Sequence, residues 1–116
     1  MKTFNRQTGR LGEEIALQNL LARGYELVER NYSTKFGEID LIMKDKSVLV
    51  FVEVKTKKGL DFGSPEEMFT RGKREKVKRM ATVFLDGKEV ACRIDMIAVV
   101  LDSQNEVVSV KHYLAV

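Results

Sequence analysis

Phe36-Gly37-Glu38-Ile39-Asp40-Leu41-Ile42-Met43-Lys44 is followed, after Asp45-Lys46-Ser47, by Val48-Leu49-Val50-Phe51-Val52-Glu53-Val54-Lys55-Thr56. Both runs have strand length and apolar content, and the residues between them are turn formers, so the pair reads as a β-hairpin. Two acidic segments interrupt it: Gly37-Glu38-Ile39-Asp40, and Glu53-Val54-Lys55 at the end of the apolar run. Strands of valine, leucine and phenylalanine normally avoid ending in a carboxylate and an amine one pleat apart. A core has no need of these charges.

Side chains alternate across a strand, so Glu53 and Lys55 share one face, as do Glu38 and Asp40. A tight turn at Lys46-Ser47 places Asp40 directly opposite Glu53, whereas a register change of two makes the pair diagonal. Directly opposed residues have Cβ atoms roughly 4.5–5.5 Å apart. Two carboxylates that close repel unless a cation lies between them, and Mg²⁺ favours oxygen ligands. A metal so held polarises a phosphoryl oxygen and lowers the pKa of bound water. Lys55 can orient that water or neutralise the phosphate, and the Val54 carbonyl, at a strand end, offers a further ligand. Glu-x-Lys alone is common on solvated strands. Its pairing with Asp40 across a hairpin is what points to phosphodiester hydrolysis.

Outward from the hairpin, Gln7 to Arg23 is expected to be helical, with Leu11, Leu17, Leu20 and Leu21 on one broad side and Gly24 as its stop. Tyr25 to Tyr32 reads as a first strand. Lys57 to Ser64 holds two glycines and no periodicity, and is expected to be a loop, with Lys57 and Lys58 beside the metal site and Phe62-Gly63 as a flap. Pro65 opens a short helical turn through Phe69, which Gly72 interrupts. Val77, Met80, Ala81, Phe84 and Leu85 then fall at the spacing of a buried helical stripe that ends at Asp86-Gly87. Val90 to Leu101 reads as an interior strand, and Asn105 turns the chain into a last strand, Val107 to Leu114. Helix, three strands, helix and two strands make an α/β fold with a mixed central sheet flanked by helices.

At 116 residues, 44% hydrophobic and 32% charged, the chain reads as one soluble domain over 1–116. A single cysteine excludes an internal disulfide framework or a zinc cluster. No signal core or membrane-length apolar stretch is present in the sequence, so a cytoplasmic location is expected. The net charge of +3 permits nucleic-acid binding without demanding it. Distribution says more, because Lys55, Lys57, Lys58, Arg71, Lys73, Arg74, Lys76, Lys78 and Arg79 form a cationic block.

The Asp and Glu-x-Lys of this hairpin, with the order of elements, resemble the PD-(D/E)XK nuclease superfamily and its restriction-endonuclease-like αβββαβ core. More narrowly, Gly37-Glu38-Ile39-Asp40-Leu41-Ile42, Phe51-Val52-Glu53-Val54-Lys55, Lys73 and Arg93-x-Asp95 resemble the YraN-like family of small bacterial proteins, candidate endonucleases of that superfamily. Gly9-Arg10-Leu11-Gly12-Glu13 is similar to the first-helix motif of archaeal Holliday-junction resolvases. The resemblance implies Glu13, Asp40 and Glu53 as metal and catalytic residues, Lys55 as catalytic, and Mg²⁺ or Mn²⁺ as cofactor. Helical periodicity leaves Glu13 and Glu14 open, since Glu13 lies about 20° from Leu20 and Glu14 about 20° from Leu21. The motif selects Glu13.

The implied partner is nucleic acid, DNA ahead of RNA, contacted by Lys35, Lys57, Lys58, Arg71 and Lys73, and a homodimer is expected by analogy with resolvases. Arg93 and Asp95 read as an internal ion pair, His112 as structural or surface, and Cys92 as buried and apolar. The competing function is a non-catalytic nucleic-acid-binding or scaffold module on the same fold, which the cationic block would serve equally well.

Overall fold

A computed structural model describes residues 6–59 and 69–116. The elements are α1 (Arg6–Ala22), β1 (Glu26–Thr34), β2 (Gly37–Asp45), β3 (Val48–Lys58), α2 (Arg71–Leu85), β4 (Cys92–Leu101) and β5 (Val107–Tyr113). They form a mixed five-stranded sheet in the order β1-β2-β3-β4-β5. β3 and β4 are parallel and the other neighbours antiparallel. The parallel pair requires a crossover, which α2 lies within.

Alternation along β3 assigns the helices to opposite faces. Val50, Val52 and Val54 join Ala16, Leu17 and Leu20 of α1 in one buried cluster. Phe51 joins Val77, Met80 and Ala81 of α2 in the other. The hairpin closes at Lys46, whose φ of 59° is left-handed, with Asp45 paired to Val48. Gly24, with φ of 92°, ends α1 as expected, and its N–H donates to the Leu21 carbonyl at 3.0 Å.

Several expectations need correction. β3 does not end at Thr56: Lys57 and Lys58 pair with Val100 and Leu101, and the apolar end of β4 draws the strand onward. Gly72 does not interrupt α2. It sits in the first turn, where backbone N–H groups lack helical partners in any case, and Thr70 caps the helix by accepting from the Lys73 N–H at 3.2 Å. Cys92 is exposed, not buried, because it begins β4 ahead of its buried run from Asp95 to Val99. Leu21 is 39% exposed and lies outside the α1 stripe. The helical turn from Pro65 and the Phe62-Gly63 flap lie outside the described residues, apart from Phe69, which is neither helix nor strand. No helix among the described residues is long and apolar enough to cross a membrane.

The expected Arg93–Asp95 pair is present and larger than anticipated. Asp95 is fully buried. It accepts from Arg93 Nε at 3.0 Å, from His112 Nε2 at 2.7 Å and from the Ala115 N–H at 2.9 Å. Arg93 also donates to Tyr25 Oη at 2.9 Å. This network ties β4 and β5 to the chain that follows α1, and explains why the only histidine is structural.

Candidate metal and phosphodiester site

The site forms where β2 parts from β3. Their paired residues run from Asp45–Val48 to Leu41–Val52 and then stop. Continued by one step, this register puts Asp40 opposite Glu53, as the hairpin predicts. Regular alternation of β2 fails at the same point: Leu41 and Met43 face α1, whereas Ile42 and Ile39 both join the α2 cluster. Across β2, Asn31 of β1 has a left-handed φ of 54°, a conformation that asparagine tolerates. The sheet therefore opens at Asp40.

The Asp40 side chain takes over the missing ladder bond. The Val54 N–H donates to Asp40 Oδ2 at 2.7 Å. The carbonyl of a strand residue leaves the chain on the same side as its N–H, so the Val54 carbonyl faces the same gap. Val54 is interior to β3, paired with Ile97, and not at a strand end. The position of the gap, and not the end of the strand, makes its carbonyl a candidate ligand.

Glu53 and Lys55 follow on the α2 face, with Lys55 Nζ 3.3 Å from Glu53 Oε2. From above that face Lys73, in the first turn of α2, reaches hydrogen-bonding range of the Lys55 amine. From the other face Glu13 of α1 comes within hydrogen-bonding range of Asp40 and accepts from Asn31 Nδ2 at 3.0 Å. Glu14 points elsewhere, to Arg30 at 3.1 Å and Gln18 at 3.0 Å on the surface. Burial separates the two side chains that periodicity left alike. Leu20 is fully buried and Leu21 is exposed, so Glu13 turns inward with the former and Glu14 outward with the latter.

Close packing of α1 fixes this reach. A Cβ at Gly12 would overlap Thr56 Oγ1 and lie 2.8 Å from Thr56 Cβ, so only glycine lets the helix lie this near β3. Asn31 and the Gly12–Thr56 contact were not anticipated. An asparagine within a strand pattern was the available signal, since asparagine is depleted in strands and marks irregularity.

The electrostatics show acids crowded beyond what the protein itself relieves. Burial, then the Glu53 charge, pushes the Asp40 carboxyl up to about 8, with Glu13 adding to the rise and the Val54 N–H opposing it. Burial also raises Glu53, against the pull of Lys55 and Lys73. Burial alone would lower Lys55, yet its contact with Lys73 and its attraction to Glu53 and Asp40 raise it. Lys73 is lowered, first by its contact with Lys55 and then by burial. Lys55 is thus the amine that holds its proton more firmly.

The donor set of carboxylates and a backbone carbonyl suits a hard divalent cation. Among the described residues, no three acidic, imidazole or thiol groups converge tightly enough to enclose an ion. Asp40 and Glu53 therefore fit a cation that completes its shell with water and substrate oxygens, the habit of Mg²⁺.

The expected nucleic-acid contacts divide. Arg71 is exposed and Lys73 half-buried at the start of α2. Lys35 is exposed at the β1–β2 turn, its amine 5.4 Å from the Phe36 ring centre. Lys58 is exposed at the end of β3. Lys57 is only 8% exposed and engaged within the protein, so it is not a surface phosphate contact.

Residues 12–99, which include Glu13, Asp40, Glu53, Lys55 and Lys73, match the profile of "Uncharacterised protein family UPF0102". A UPF0102 protein of Dictyoglomus turgidum is 37% identical over 108 residues, covering 90% of this chain and 92% of its own. One from Caldicellulosiruptor saccharolyticus is 40% identical over 108 residues, with the same coverage of 90% and 92%. A Clostridium botulinum relative is 40% identical over 115 residues, 96% of this chain and 94% of its own. On the family profile and these full-length relatives, the chain belongs to UPF0102, the YraN-like family that its motifs resemble.

Proposed function

We propose that this protein is a Mg²⁺- or Mn²⁺-dependent endonuclease that hydrolyses DNA phosphodiester bonds, with a PD-(D/E)XK type of core. The observation that carries the reading is the placement of Asp40, Glu53 and Lys55 at the gap between β2 and β3, with Glu13 facing Asp40 from α1, where burial and then the Glu53 charge raise Asp40 to about 8. An acidic cluster this strained is poor structural design and good cation-binding design.

Hydrolysis adds water across one P–O bond. The water oxygen bonds to phosphorus, and the leaving sugar oxygen takes the electron pair and a proton, giving a hydroxyl and a phosphate monoester. A divalent cation bound to the acids neutralises phosphoryl charge and acidifies its water. Asp40 and Glu53 would hold that cation, with Glu13 and the Val54 carbonyl facing its water shell. Lys55, held by Glu53, presents a fixed positive charge to the phosphorane. Lys73 and Arg71 extend that positive field along the strand.

Branched or damaged DNA is the substrate class favoured by similarity to junction resolvases, and paired cuts there would call for a symmetric dimer. The test is a cleavage panel of duplex, nicked, flap and four-way DNA with RNA alongside, in Mn²⁺, comparing wild type with Asp40→Ala. We expect metal-dependent DNA cleavage that Asp40→Ala reduces at least about a hundredfold. Binding without cleavage by either protein, and no Mg²⁺ or Mn²⁺ affinity by calorimetry, would instead support the scaffold reading.

A further inference from the structure

The α2 side of the sheet carries a feature that phosphate cleavage does not use. The buried cluster beneath α2 draws on Ile39, Ile42 and Phe51, with Ile94 of β4 packed against it. Beyond it, under the N-terminal turn of α2, lies a cleft of about 330 Å³. Met96 and Tyr113, paired across β4 and β5, form its floor. Phe69, Arg71 and Arg74 line its wall. Arg74 is fixed by a bond from Nε to the Val116 main-chain oxygen at 2.7 Å, and its Nη1 lies 3.6 Å from Glu75 Oε2.

Position gives the cleft its meaning. Met96 is the register partner of Glu53 across the parallel β3–β4 pair, so the floor begins one strand spacing, about 4.8 Å, from the acidic cluster. Lys73, which reaches Lys55, belongs to the same helical turn as Arg71 and Arg74. A phosphate held at Glu53 and Lys55 thus has an apolar, aromatic and arginine-lined recess beside it, within reach of its own nucleotide.

The volume lies at the low end of the roughly 300–1,000 Å³ of small-molecule sites, and suits one planar ring system. Aromatic rings and arginine planes are the groups on which unpaired bases stack. A base inside a continuous duplex is stacked and paired, and cannot enter.

We propose that this cleft receives one unpaired base next to the phosphate held at the acidic cluster, so that the protein selects DNA carrying an extrahelical or single-stranded nucleotide over continuous duplex. The inference rests on the nuclease reading for the position of the phosphate, but not for the docking of the base.

The test separates the two. The full chain, in chelator, is titrated against three labelled DNA duplexes: fully paired, with a single 2-aminopurine bulge, and with an abasic residue at that bulge. Stacking of one base contributes about 1–3 kcal/mol, so the base-bearing bulge should bind roughly 5- to 150-fold tighter than the abasic one. Its fluorescence should be quenched on binding. Phe69→Ala and Tyr113→Ala should each remove most of that advantage while leaving affinity for paired duplex unchanged. Phe69 lies outside the helices and strands, and circular dichroism checks that its variant keeps the fold.

Equal affinity for the base-bearing and abasic bulges overturns the inference even where Mn²⁺-dependent, Asp40-dependent cleavage is found. So does a base advantage that survives both substitutions. A base advantage lost in both variants, with no cleavage of any DNA, upholds the docking site and removes the nuclease.

Discussion

Replacing Asp40 with asparagine separates the charge of the acidic cluster from its shape. The amide has nearly the volume of the carboxyl and keeps an oxygen for the Val54 N–H, which donates to Asp40 at 2.7 Å. It removes a group that burial, Glu53 and Glu13 push from 3.8 to about 8. The folded metal-free protein therefore retains a proton that the unfolded chain releases near pH 4. Stability falls as pH rises between those two values and reaches its floor above about 8.

At about 1.4 kcal/mol per pH unit, the loss attributable to Asp40 has a ceiling of roughly 5–6 kcal/mol. Burial raises Glu53 as well, so part of that penalty stays with Glu53 after the substitution. The advantage of Asp40→Asn should grow from near zero at about pH 4 to about 2–4 kcal/mol at about pH 9. Urea unfolding followed by circular dichroism in chelator, across that pH range, measures it. Stability curves for variant and wild type that run parallel in pH would refute the electrostatic account of the cluster. Added Mn²⁺ should reverse the order at high pH, since a ligand that binds only the folded state stabilises the protein that binds it more tightly.

Gly12→Ala should cost about 1–3 kcal/mol, because α1 must lift from Thr56, and urea unfolding should show part of it restored in Gly12→Ala/Thr56→Ala. Cleavage should fall with Gly12→Ala, since Glu13 travels with the helix. Asp95→Ala leaves Arg93 and His112 without their buried partner and should cost about 3–5 kcal/mol by the same assay. Burial works to raise Asp95, but bonds from His112, Ala115 and Arg93 outweigh it and hold the carboxyl below 3.8. Its stabilisation is therefore present above about pH 4 and is lost as pH falls through the depressed value. Arg23 can only donate to His112 Nδ1, 2.6 Å away, and the Asp95 carboxylate can only accept from Nε2. Nitrogen NMR should thus find the proton on Nε2, and an Nδ1–H tautomer would contradict the geometry.

The sequence was most legible where a period or a short turn fixed the answer. The tight turn at Lys46-Ser47 set the β2–β3 register, and with it the juxtaposition of Asp40 and Glu53. The stripe of Val77, Met80 and Ala81 likewise identified the buried side of α2. Lys57 and Lys58 were misread because their pairing is non-local: a strand end that looks like a loop from its glycines is held by Val100 and Leu101, more than forty residues on. Cys92 was misread because alternation tells which face a residue occupies but not how far the cover of a helix extends along it. Glu13 and Glu14 were inseparable by period; the motif selects Glu13, and the burial of Leu20 over Leu21 shows that side chain turned inward.

Charge accounting within the cluster connects the metal-free protein to the proposed reaction. Glu13, Asp40 and Glu53, set against Lys55 and Lys73, leave one negative charge in a partly buried place. Without metal, a proton on Asp40 removes it, and burial followed by the Glu53 charge raises that carboxyl to about 8. A divalent cation in place of the proton leaves an excess of one positive charge, and a phosphodiester carries one negative charge. Cation and substrate together therefore restore the neutrality that the proton gives the free protein, and neither does so alone. Metal affinity should then be modest without DNA and stronger with it, and DNA should bind more tightly with metal by the same factor. Calorimetry of Mn²⁺ binding to the wild-type protein, with and without a non-cleavable phosphorothioate oligonucleotide, reads that coupling. Two independent affinities would show that the acids are held apart by something other than the charge they lack.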